Sequence, residues 1–128
     1  MSNQDILKLD IASLSSKIKN KELSPVEITR QLLTRIEELN PLLNAFITIS
    51  SNEALDSAKR AEEEIISRNW KGPLHGIPIG LKDLIYTKGI RTTMGSKLYQ
   101  DFVPDFDATV VQKLKKCRRY YYRKIKYT

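Results

Sequence analysis

Apolar residues recur at helical spacing over several stretches of this chain and crowd into two short runs between them. Ile11, Leu14 and Ile18 share one helical face behind Asp10, which predicts a capped helix. The tetrapeptide SPVE at 24–27 gives a sharper start. Ser24 can cap, Pro25 suits the first helical position, and Glu27 can close a capping box. Val26, Leu32, Leu33, Ile36 and Leu39 continue as an apolar stripe, which the pattern ends at Asn40-Pro41. AFITI, residues 45–49, predicts a strand. Leu55, Ala58, Ala61, Ile65 and Ile66 predict a third helix, with Glu62 at its margin, broken before Gly72 and Pro73. Asp107 is placed to cap a last helix whose Val110, Val111 and Leu114 face inward. Helices alternating with short strands define an α/β chain.

The stretch GIPIGLKDLI, residues 76–85, departs from simple amphipathicity. Successive side chains on a strand point to opposite faces. Ile77, Ile79 and Leu81 then share a core face, while Pro78, Gly80 and Lys82 share the other. That second face is almost bare backbone ending in an amine, which leaves room for something to approach. A segment rich in small and hydroxyl residues, TKGIRTTMGS, follows it.

Composition narrows the classes. At 128 residues, 41% hydrophobic and 29% charged, the chain suits one folded domain rather than a disordered segment. No apolar run approaches the ~20 residues of a membrane helix, and no signal peptide pattern opens the sequence, so a cytoplasmic location is expected. A single cysteine, Cys117, leaves no intramolecular disulfide. A single histidine, His75, argues against a protein-only zinc site, and no cofactor is expected. The net charge of +7 is unevenly placed. Residues 117–128, CRRYYYRKIKYT, hold five basic residues and no acid. Residues 1–116 keep 17 of the 22 basic residues and all 15 acidic ones, so the body is close to neutral.

GPLHGIPIGLKD, with TKGIRTTMGS and DATVVQKL after it, resembles the amidase signature family over about residues 8–116. The resemblance implies the N-terminal portion of that fold, helices around a mixed sheet, here truncated. It implies hydrolysis or transfer at an amide C–N bond of a small-molecule substrate, by a serine nucleophile, a second serine in a cis peptide, and a lysine. The family lysine falls on Lys82. A lysine can serve as base only when its amine is held neutral by burial or by a cationic neighbour. It would then take the nucleophile's proton through the bridging serine and return it to the leaving amine. No glycine- and serine-rich segment like the one carrying the family's two serines occurs in residues 1–128, so this chain is expected to be inactive alone.

Other residues support lesser roles. Asp83 is expected to hydrogen-bond structurally, and His75 to pack a turn. Ser96 resembles a segment lining the family's site without being the nucleophile, and Cys117 lacks partners for catalysis. Two subfamilies compete. The A-subunit of the glutamyl-tRNA amidotransferase commonly has asparagine where Leu84 stands and alanine-serine where Gly95-Ser96 stands, which favours a stand-alone amidase. A third reading, from a different class, is a small basic module gripping nucleic acid through its Arg/Tyr tail. The near-neutral body weighs against it.

The tail itself predicts a reading-frame error. Family members continue after D-A-T-V-V-x-K-L with a strand close to AGAIIIGK. Reading from the second nucleotide, Cys117-Arg118-Arg119 can become Ala-Gly-Ala, and Tyr120 to Tyr122, as TAT codons before AGG, become three isoleucines. Residues 1–116 are therefore expected to be part of an amidase domain, and 117–128 a frameshift product.

Overall fold

The computed structural model describes residues 6–117 and, as backbone only, 122–125. Helix α1 (Ile11–Lys19) starts where Asp10 accepts the Ser13 N–H at 2.7 Å. Helix α2 (Pro25–Leu43) starts where Ser24 Oγ accepts the Glu27 N–H at 3.2 Å, with proline in its first turn. Such a cap is worth about 1 kcal/mol. The second half of the expected capping box is replaced, because the Glu27 carboxylate turns to Gln31 Nε2 at 3.3 Å.

Helix α2 does not stop at Asn40-Pro41. It continues to Leu43 and closes on Asn44, whose left-handed backbone (φ 49) donates back to the Asn40 carbonyl at 2.7 Å. Proline so close to a C-terminus removes a single intrahelical bond, and the helix tolerates it. The Asn40 side chain also behaves like a strand partner: its Oδ1 accepts the Phe46 N–H at 2.8 Å, and its Nδ2 donates to the Phe46 carbonyl at 3.0 Å. That pair sets where strand β1 (Phe46–Ile49) begins.

Helix α3 (Ser51–Ile66) packs against α2 through small residues. Ala54 and Ala58 meet Val26 in one cluster. A larger cluster joins Ile6, Ile18, Ile28, Ile65 and Ile77, with Leu14, Trp70 and Leu74 around it. Strand β2 (Ile79–Lys82) begins two residues later than the sequence pattern suggests, but its alternation holds. Leu81 is buried, while Gly80 and Lys82 are exposed. Beyond it come a short 3-10 turn (Lys97–Tyr99) and helix α4 (Thr109–Lys116).

Asp107 is not the cap of α4; Ala108 occupies that position. The carboxylate instead accepts the Lys88 N–H at 2.8 Å and holds the Lys115 ammonium, tying the loop after β2 to the last helix. Val110 is exposed rather than inward, because Val111 fills the space against Leu81.

The sheet has the order β1-β3-β2, with β3 (Tyr122–Ile125) in the middle. Strand β3 runs antiparallel to β1 and parallel to β2, with Gly80 opposite Arg123 and Lys82 opposite Ile125. An α/β chain returns to its sheet after a helix, and this backbone does so. Residues 118–121 and 126–128, most of the expected frameshift segment, lie outside the described residues. No described helix is long and apolar enough to cross a membrane.

Candidate functional site

Lys82 is the last residue of β2, on the same face as Gly80. Its neighbour Asp83 turns the other way and is fully buried. Asp83 Oδ1 accepts the Thr93 N–H at 3.0 Å, and its second oxygen accepts the Thr93 hydroxyl. The Asp83 carbonyl accepts the Met94 N–H at 3.1 Å. Three bonds thus pin one turn of TKGIRTTMGS beside the strand end that carries Lys82. Met94 and Gly95 both take left-handed backbone (φ 52 and 68), which lets the chain reverse within two residues. The Thr93 hydroxyl also accepts the Gly95 N–H at 3.3 Å.

The Asp83 bonds fit the structural role expected for it. Thr93 is the partner that the sequence reading missed, and the signal was weak: a hydroxyl residue ten positions after an aspartate. Ser96 Oγ accepts the Leu98 N–H at 3.2 Å and caps the 3-10 turn, so its hydroxyl is engaged in local structure. Cys117 sits half-buried at the end of α4.

His75 belongs to a separate cluster at the entry to β2. It is fully buried, with its ring 5.8 Å from that of Trp70. Nδ1 accepts the Lys71 N–H at 3.3 Å, so the ring proton sits on Nε2, which donates to Glu64 Oε2 at 3.0 Å. The other Glu64 oxygen meets the Lys71 ammonium at 2.7 Å. Burial, and then the Lys71 charge, lower the His75 pKa below its ordinary 6.5. The unfolded chain therefore takes up this proton first, and stability, full above about pH 6.5, falls as the pH drops below that value until the folded ring also titrates. Since His75 is the only histidine, urea denaturation should show falling stability between about pH 6.5 and 5 in the parent chain and a nearly flat profile in His75→Gln. Equal slopes in the two proteins would remove His75 as the cause.

The amidase family profile matches residues 27–117, spanning both clusters and ending at Cys117, the first residue of the basic tail. The chain belongs to the amidase family. The glutamyl-tRNA(Gln) amidotransferase A-subunit of Geobacter metallireducens is 48% identical over 111 residues, covering 87% of this chain and 23% of that protein. Its counterpart from Gloeothece citriformis is 48% identical over 105 residues, covering 82% of this chain and 22% of that protein. Among solved structures, the native peptide amidase of Stenotrophomonas maltophilia superposes with a TM-score of 0.83 at 34% identity, over 92% of this chain and 24% of that one. An amidase family protein of Bacillus anthracis gives 0.84 at 30% identity, over 96% and 25%. The fold is therefore the amidase signature fold, and the chain spans about a quarter of the length of the relatives it matches.

Proposed function

We propose that residues 1–116 are the N-terminal part of an amidase domain that cleaves amide C–N bonds of small-molecule substrates, with Lys82 as its base. The observation that carries this reading is the placement of Lys82. It stands at the carboxyl end of a strand in a parallel pair, on the face cleared by Gly80, and its amine, exposed in this chain, would need the rest of the domain to bury it before it could act as base. In open α/β sheets, ligands bind in the crevice outside the carboxyl ends of the strands. The nucleophilic serine and the cis-serine of the mechanism have no counterpart in residues 1–128, so the chain alone is inactive in this reading.

The test is a chimera in which residues 1–116 replace the matching quarter of the Stenotrophomonas maltophilia peptide amidase. Lys82→Ala should lower its kcat about a thousandfold, the range of general acid–base contributions, with little change in KM. A chimera that retains full turnover without the amine would dismiss Lys82 as the base. The isolated chain should hydrolyse no simple amide.

A second reading is a part of the glutamyl-tRNA(Gln) amidotransferase A-subunit. It is favoured by the 48% identity to that protein, compared with 34% to the peptide amidase. Leu84 and Gly95-Ser96 speak for the stand-alone enzyme, so the two readings stand level. A chimera built on the amidotransferase relative that binds the other polypeptides of that enzyme would decide for the second.

For residues 117–128 the proposal is a shifted reading frame. The family match ends at 117, and the backbone of 122–125 occupies a central strand position. Nucleotide sequence across codon 116 tests it: the shifted frame must continue into a serine- and glycine-rich amidase segment. Salt-dependent nucleic-acid binding lost on deleting 117–128 would instead favour a selected basic arm.

A further inference from the structure

Helix α2 carries a stripe of exposed polar side chains whose charges do not balance. Arg30, Thr34 and Glu38 recur at every fourth position and so line one face, with Arg35 beside them. The turn that precedes α1 brings Leu7 and Lys8 alongside, and the two walls enclose a groove of about 580 Å3. Between Arg30 and Glu38 the helix rises about 12 Å. The groove therefore has the size of a small-molecule site, for which about 300–1,000 Å3 is usual.

Three bases and one acid leave this groove a net charge of +2. That equals the net charge of all of residues 1–116, with their 17 bases and 15 acids. Of the three bases, Arg35 meets a carboxylate: its Nη1 lies 3.2 Å from Glu38 Oε2. Among the described residues, Lys8 and Arg30 have no ion-pair partner.

We propose that this groove binds a small molecule bearing two oxyanion groups, phosphate or carboxylate, held by Arg30, Arg35, Lys8 and Thr34. A guanidinium presents a planar fork of donors that matches either group, and Arg35 commits one of its five donors to Glu38. The Lys8 ammonium adds a point charge, and the Thr34 hydroxyl a further donor. Arg30 and Arg35 stand about 7.5 Å apart along the helix axis, more than one oxyanion bridges. Two anionic groups on one molecule suit the groove better than a single ion. Protein core does not suit it, because sealing Lys8 and Arg30 without acids leaves buried charges uncompensated. The proposal goes beyond the amidase reading and stands whether or not Lys82 is the base.

The test titrates the full chain with fructose bisphosphate and, separately, with adipate, and reads binding by calorimetry. Saturable one-to-one binding with a Kd of about 1 mM or tighter is expected for at least one probe. The tighter probe tells phosphate from carboxylate. Inorganic phosphate, a single group, should bind at least about tenfold more weakly. Lys8→Gln with Arg30→Gln should weaken the tighter probe at least about tenfold. Lys113→Gln with Lys116→Gln on α4 removes the same charge and should leave binding unchanged. All four positions are exposed, and circular dichroism confirms that both variants fold like the parent. No saturable binding of either probe, or equal weakening by the two double variants, overturns the proposal. Inorganic phosphate binding as tightly as the two probes overturns it as well. Polyglutamate binding where both small probes fail would assign the stripe to an acidic polypeptide instead.

Discussion

Alanine at position 76 is expected to destabilise the fold by about 3 kcal/mol, the sum of a backbone and a packing penalty. Gly76 has φ +82, a region that side-chain-bearing residues rarely enter. A Cβ there would stand 2.8 Å from Pro25 Cγ and 3.2 Å from Pro25 Cβ. Neither atom can retreat easily, because Pro25 is a buried ring fixed in the first turn of α2. On the far side, Ile18 Cγ2 at 3.6 Å closes the space. Gly89→Ala separates the two penalties, since Gly89 has φ +75 with nothing within 4 Å of its added Cβ. Urea denaturation should therefore give about 1 kcal/mol for Gly89→Ala, the backbone part alone, and roughly three times that for Gly76→Ala. Equal losses at the two positions would mean that the Pro25 contact is harmless.

The same glycine shows why part of this fold was legible in sequence and part was not. Periodicity is a local property, and it placed α1, α2, β1, α3 and β2 within a few residues of their observed positions. The alternation of Gly80 and Lys82 against Leu81 was also local, and it located the strand end where the candidate chemistry sits. Asn40-Pro41 failed as a stop signal because a tertiary bond, from Asn40 to the Phe46 backbone, rewards one more turn of helix. Asp107 failed as a cap for a similar reason: Lys88 and Lys115 compete for its carboxylate across the loop. Burial pushes the other way for Asp107, yet those donors hold its pKa below the usual 3.8. The Glu64–His75–Lys71 cluster and the Asp83–Thr93 pair join residues eleven and ten positions apart with no period to announce them. Motif resemblance supplied the family, and it alone suggests Lys82 as the base; no spacing argument could have supplied the family.

Asp83→Ala should be the other large perturbation, costing about 3 kcal/mol, because it removes an acceptor of two bonds in a dry site. The carboxylate is fully buried, and its removal strands the Thr93 N–H without the oxygen it met at 3.0 Å. The Thr93 hydroxyl is itself in a buried residue and loses its acceptor in the same step. Asp83→Asn is the instructive contrast. Its amide oxygen can keep the Thr93 N–H, and its NH2 can donate to the hydroxyl once that group rotates, so about 1 kcal/mol is expected. The consequence is local as well as global. Met94 holds left-handed backbone only while its N–H is tied to the Asp83 carbonyl and Thr93 is tied to the side chain. Amide exchange at Thr93 and Met94 should therefore accelerate far more in Asp83→Ala than exchange at Ile18 or Ile28 in the helical core. Unchanged protection at Thr93 and Met94 in Asp83→Ala would show that the turn beside Lys82 is held by something other than this carboxylate.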